Sequence, residues 1–308
     1  MHIKRLNIYL LFSALVYAGA FNTQAQRRGS SGFNRNQAYE VGLSIGPTFY
    51  QGDLSYGPVT LQMAKLHVGI YGRRYLGNFL AVRLGFNYGR IAGDDKVAAS
   101  KYDEYTSIQE QGLGKQAAYR DRMKRNLNFY SNIREANLIF EYHIWNPYNR
   151  RRGNLIVPYV FGGLAYFHFN PKTVDRYGNV VELRKYQTEY HKTYSLNQWA
   201  IPCGIGVKIN PGAAINVSFE IGYRKTFTDW LDDVHHNYAG APAAGDVYLQ
   251  QLSDRSGEID PKWGNMWSHT SINPNKNVRG NPKDKDSYIL CSINITKTFS
   301  AHGTCTNF

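Results

Sequence analysis

The sequence predicts an all-β protein: an eight-stranded antiparallel transmembrane β-barrel of the outer-membrane type, with long extracellular loops. Three observations predict it. The chain opens with an export signal. Runs of period-two alternation recur along the rest of it, each long enough to cross a bilayer at a tilt. The connections between those runs are short and long in strict alternation, as in barrels with short periplasmic turns and longer external loops.

The export signal occupies residues 1–25. Lys4 and Arg5 form a basic start, an apolar stretch follows through Leu10, Leu11, Phe12, Leu15 and Val16, and Ala25 supplies a small residue at the cleavage point. The stretch is short for a membrane-spanning helix. Residues 26–37 form a polar leader rich in Gly, Ser and Arg, expected in the periplasm.

The barrel is expected over 38–299. Its first run covers about Tyr39 to Tyr50 and its second about Leu66 to Tyr75, with Val68 and Ile70 on one face. In the third, Leu80, Val82, Leu84, Phe86 and Tyr88 alternate with Ala81, Arg83, Gly85, Asn87 and Gly89. The fourth, Phe129 to Ile144, sets Ala136, Leu138, Phe140 and Tyr142 against Glu135, Asn137, Ile139, Glu141 and His143. The fifth covers about Ile156 to Phe169. The sixth, Leu196 to Ile209, aligns Trp199, Ile201, Cys203, Ile205 and Val207. The seventh sets Ile215, Val217, Phe219, Ile221 and Tyr223 against Asn216, Ser218, Glu220, Gly222 and Arg224. The eighth runs from about Ser287 to Phe299, with Ile289, Cys291, Ile293 and Ile295 aligned. Short links fall at Leu76-Gly77-Asn78, at Trp145 to Leu155 and at Asn210-Pro211-Gly212. Long ones cover Gln51 to Lys65, Ile91 to Asn128, Asn170 to Thr193 and Phe227 to Asp286. That order puts both chain ends in the periplasm, with 300–308 as a periplasmic tail.

Composition agrees. Mean hydropathy is −0.47, yet the chain carries 24 Tyr, 15 Phe and 29 Gly, as expected when outward apolar residues alternate with inward polar ones. The formal charge of +13 falls to +11 once Lys4 and Arg5 leave with the signal. Its basic residues are scattered and the chain is exported, so nucleic acid is not an expected partner; outer-membrane lipid is.

Eight strands enclose a lumen filled by side chains. The inward charges Arg83, Glu135, Glu141, Glu220 and Arg224 are expected to form a paired network, because an isolated buried charge is costly. The barrel is therefore read as plugged. Asp94, Asp95, Asp229, Asp232 and Asp233 fall at the extracellular mouth. They could bind a hard cation, but pairing with Arg90, Arg224 and Lys225 is the expectation, and no metal or cofactor is assigned. Candidate bases for hydrolysis (His168, His191, His235, His236 and His269) lie near the same end, yet no spacing singles out a set and Gly-x-Ser-x-Gly is absent. No catalytic residue is assigned; a small barrel enzyme acting on lipid or peptide at the cell surface stays as the alternative.

Three cysteines are an odd number for an oxidising compartment. Cys203 and Cys291 fall on non-adjacent strands, on the wall. Cys305, in the polar tail, is expected to link the chain by an intermolecular disulfide to a periplasmic component.

Several segments together resemble the PorG family of type IX secretion. They are Tyr50-Gln51-Gly52-Asp53-Leu54, Tyr88 to Asp95, Ser131-Asn132-Ile133-Arg134-Glu135-Ala136, Pro158 to Gly163 with His168 to Lys172, and Gly222 to Val234, the most specific. The resemblance implies a non-enzymatic role in tying a periplasmic ring, built from a PorK-like lipoprotein and a PorN-like subunit, to the outer membrane. In relatives the machine also supports gliding. It makes the PorK-like lipoprotein the first candidate for the Cys305 bond. The tail beyond Ser300 departs from the family pattern.

Overall fold

The computed structural model describes residues 38–55, 57, 59–97, 124–147, 156–189, 193–209, 214–238, 247–261 and 279–300. The expected signal segment (1–25) and leader (26–37), and residues 301–308 with Cys305, lie outside the described residues.

Among the described residues there are ten strands: β1 (Ala38–Gln51), β2 (Lys65–Tyr75), β3 (Leu80–Asp94), β4 (Asn128–His143), β5 (Ile156–His168), β6 (Pro171–Val174), β7 (Val180–Glu182), β8 (Asn197–Ile209), β9 (Ile215–Thr226) and β10 (Ser287–Ser300). Eight close a barrel in the order β1-β2-β3-β4-β5-β8-β9-β10, every pair antiparallel, with β10 returning to β1. These are the eight runs read from the sequence, and each sequence neighbour is a spatial neighbour. Closure leaves the wall without an exposed edge.

Outside the wall, Leu43, Ile45, Val68, Ile70, Leu84, Leu138, Leu164, Ile205, Phe219 and Ile293 are all exposed. In water so large an apolar surface would aggregate; it is the belt of a membrane-spanning barrel. Aromatic residues bound it at both ends. Tyr39, Tyr142 and Phe299 lie toward the short turns, and Tyr88, Tyr166 and Trp199 toward the long loops. The chain is thus built as an outer-membrane protein. Two glycines show how tightly the wall closes. A Cβ at Gly163 would run into the Leu138 carbonyl, and one at Gly46 into that of Cys291.

The strand edges depart from the sequence reading in small ways. β3 continues through Ile91 to Asp94, which pairs with Asn128, so Asp94 closes the strand instead of following it. Ser300 is the last residue of β10, opposite Ala38, and belongs to the wall, not the tail. The third long connection is partly folded. Hairpin β6–β7 extends the sheet beyond β4 and leads into the one-turn helix α1 (Leu183–Tyr186). The fourth contains helix α2 (Val247–Ser253).

Candidate functional site

The pleat sends alternate residues inward, and a narrow barrel brings inward residues of distant strands into contact. The main cluster is a chain of alternating charge. Lys208 Nζ meets both Glu40 oxygens at 2.6 Å and donates to Tyr75 Oη at 2.7 Å. Glu40 is paired with Arg73 Nη1 at 2.7 Å. Arg73 Nε lies 2.8 Å from Glu141, whose other oxygen is 3.0 Å from Arg83 Nε. Arg83 then grips Glu220 with both terminal nitrogens, at 2.5 and 3.1 Å, and Tyr159 donates to the same carboxylate at 2.5 Å. The cations Lys208, Arg73 and Arg83 balance Glu40, Glu141 and Glu220. The two contacts to Glu141 are ion pairs whose N–H vectors miss the hydrogen-bond line, so this carboxylate is held by charge and distance.

A second group sits one layer nearer the long loops. Glu135 is 3.4 Å from Arg224 Nε and accepts hydrogen bonds from Tyr288, Asn87 and Asn137 at 2.7, 2.9 and 2.9 Å. All five inward charges singled out in the sequence therefore lie in the lumen, in two paired groups. Glu40, Arg73, Lys208, Tyr75 and Tyr159 were missed. Glu40, Arg73 and Lys208 obey the same alternation, opposite exposed Val41, Arg74 and Val207, so the signal was present in runs whose polar face was not spelled out.

Above these layers the mouth is closed. Phe129, Phe167, Phe169, Leu127, Leu231 and Val234 form one buried apolar cluster, capped by a stack in which Tyr194 lies 6.1 Å from Phe169 and 4.8 Å from Trp230. Polar ties join all four long connections over it. Arg125 holds Asp95 through two bonds of 2.8 Å, and donates to the carbonyls of Arg279 and Asp53 at 2.5 and 3.0 Å. Arg279 reaches Glu189 at 3.3 Å and the Asp233 carbonyl. Glu189 in turn accepts the backbone N–H groups of His235 and His236, at 2.7 and 2.9 Å.

The mouth carboxylates are placed at this cap, but not with the partners expected. Arg90 donates to Asn132, Arg224 donates to the Gly222 carbonyl and pairs with Glu135 by charge, and Asp95 takes Arg125 instead. The reason is that Arg125, far off in the sequence, folds over the mouth, whereas Arg90 points outward and Arg224 inward below it. Asp94 is half-buried and caps the N–H of Lys96. Asp232 and Asp286 share the Tyr50 hydroxyl, at 2.7 and 2.6 Å. One hydroxyl has one proton to donate, so the three groups need a further proton to satisfy both contacts. Burial first, then each carboxyl's acidic neighbours, push Asp232 and Asp286 well above the ordinary range. Burial also raises Asp233 to about 6, although Tyr194, Thr188 and Arg279 surround it. Asp229 reaches about 6 for the same reason, its 2.6 Å contact to His235 Nδ1 notwithstanding.

Among the described residues no group of three His, Cys, Asp or Glu side chains is arranged to hold a metal ion. His235 and Asp229 form a base–carboxylate pair, but among the described residues no hydroxyl hydrogen-bonds to that imidazole ring. Cys203 and Cys291 are both free, with β9 between their strands.

No curated protein matches the chain. Among solved structures it is similar to Ail, the attachment invasion locus protein of Yersinia pestis, at 9% identity and a TM-score of 0.38, over 86% of this chain and 99% of that one. It is similar to Neisserial surface protein A at 9% identity and a TM-score of 0.37, over 88% and 100%. The outer membrane protein OprG of Pseudomonas aeruginosa matches at 10% identity and a TM-score of 0.38, over 87% and 98%. The family model described as Domain of unknown function (DUF6089) matches residues 30–240, well over half of the sequence, and the chain belongs to that family.

Proposed function

We propose that the chain is a non-enzymatic outer-membrane component of a type IX secretion machine, anchoring a periplasmic PorK/PorN-type ring to the outer membrane. The observation that carries this is the filled, charge-balanced lumen under a tied cap. Such a barrel suits a rigid fixture better than a conduit. The likeness to PorG supports the choice of machine, and its most specific segment, Gly222 to Val234, runs from β9 into the cap. In this reading the short turns and both chain ends face the periplasm and the long loops face outward. Cys305 joins the PorK-like lipoprotein through a disulfide.

Affinity purification of the full chain in mild detergent tests the reading: the ring subunits should co-purify, and a heavier non-reduced band should vanish with Cys305→Ser. Turnover of lipid or peptide by the pure barrel, with no ring subunit retained, would point instead to the surface enzyme. Orientation is tested separately. In a background otherwise free of cysteine, Asn78→Cys and Lys283→Cys should react from opposite sides of the membrane in intact cells, Lys283→Cys from outside.

A further inference from the structure

The outer wall changes character in a definite order toward the long loops. Along β5 the outward residues run Leu164, Tyr166, His168, and along β8 they run Ile201, Trp199, Asn197. Tyr166 and Trp199 pair across the strands with ring centroids 4.9 Å apart, both about half exposed. Apolar, then aromatic, then polar is the sequence of surfaces met on passing from hydrocarbon to headgroups, where Trp and Tyr collect.

Directly above that pair a groove of about 470 Å³ opens on the outside of the barrel, lined by His168, Arg184, Thr193, Ser195 and Asn197 among others. Its chemistry is one-sided. Among the described residues no carboxylate lines it. His168 Nδ1 meets Asn197 Oδ1 at 2.9 Å, and Arg184 is oriented by a 2.8 Å bond from its Nε to the Tyr194 carbonyl. Arg134, exposed on the same outer face, stands opposite His168 in the β4–β5 register. Among the described residues neither Arg134 nor Arg184 is paired with a carboxylate. Two guanidinium groups and an imidazole at headgroup depth, above an aromatic floor, make a complement to an anionic headgroup carried on an acyl chain. Guanidinium matches phosphate oxygens in geometry as well as in charge.

We propose that this groove binds the phosphate of an outer-leaflet lipid, a phosphorylated glycolipid whose acyl chain lies on Tyr166 and Trp199. The proposal rests on the outward orientation of the long loops and is independent of the ring contact.

The full chain, delipidated in detergent, is titrated with bisphosphorylated lipid A, its dephosphorylated form, phosphatidylglycerol and inorganic phosphate, and bound species are counted by native mass spectrometry. Bisphosphorylated lipid A should bind best. Each arginine at the headgroup level contributes about fivefold, so Arg134→Ala/Arg184→Ala should weaken binding about thirtyfold. Arg74→Ala, on the outer face near the short turns, should leave it unchanged. Equal binding of dephosphorylated lipid A, or an unaffected double variant, would overturn the site. Full competition by inorganic phosphate would make it a free-anion site and overturn the lipid. Preference for phosphatidylglycerol would overturn the outer-leaflet assignment; only if Lys283→Cys also labels from the periplasm does the orientation fail with it.

Discussion

Deleting one charge from the lumen should cost about as much as deleting the pair it belongs to. In Glu220→Ala the Arg83 guanidinium loses contacts of 2.5 and 3.1 Å, Arg73 loses an anion at 3.8 Å, and Tyr159 loses its acceptor. Lys208, Arg73 and Arg83 then face only Glu40 and Glu141, and the sealed lumen holds an uncompensated positive charge. Charge centres about 4 Å apart interact by about 4 kcal/mol at an effective dielectric of about 20. That agrees with the roughly 3–5 kcal/mol found when one partner of a buried pair is removed. Arg83→Ala should cost a similar amount, since it leaves Glu220 with only the 3.8 Å contact to Arg73 for a cation and leaves Glu141 with Arg73 alone among the arginines. The double variant restores neutrality, so it should recover about half of the summed loss, a coupling of about 3–5 kcal/mol. The assay is urea unfolding of the barrel reconstituted in vesicles, followed by tryptophan fluorescence and by electrophoretic mobility without boiling. The reasoning is refuted if Glu220→Ala lies within about 1 kcal/mol of the parent, or if the double variant loses the full sum.

The cap should respond to pH. Asp233 rises from 3.8 to about 6, so its folded form favours the proton; the stability it gives the cap is complete below about pH 4 and is lost as pH rises through about 6. Two pKa units and a little more correspond to about 3 kcal/mol. Hydrogen exchange in the cap should therefore quicken between pH 4.5 and 7, and Asp233→Asn should flatten that step; an acid-labile cap would contradict the assignment. In planar bilayers the pure protein should show no steady conductance, because the paired side chains fill the lumen; a large open channel would refute the plug. Gly163→Ala should misassemble or lose roughly 1–3 kcal/mol, since its methyl group meets the backbone of the next strand. Normal heat-modifiable migration of that variant would show that the wall can relax there.

Strand number, order and facing were legible because a closed meander is a local construction. Alternation fixes which side chains face the lumen, and short links force neighbouring runs to pair. Thus Arg83, Glu141 and Glu220 could be assigned inward from three separate runs. Arg73, Glu40 and Lys208 obeyed the same rule but were not picked out. The hairpin β6–β7 escaped because its strands, Pro171–Val174 and Val180–Glu182, are too short to show an alternating face. The partners of the mouth carboxylates were read wrongly because the cations expected to pair with them, Arg90, Arg224 and Lys225, point to other surfaces once their strands are pleated.

By itself, then, the sequence determined an outer-membrane-type barrel with a charged interior, since period and polarity are properties of each strand alone. Only the tertiary structure decided which charges meet. Glu40 with Lys208, Arg83 with Glu220 and Arg125 with Asp95 are joined by strand tilt, register and loop path, which set distances between residues far apart in the chain. The outer groove arises the same way: His168, Arg184 and Asn197 come from three elements, Arg134 of a fourth stands opposite His168, and only the pairing of β4, β5 and β8 sets the strand residues at one depth.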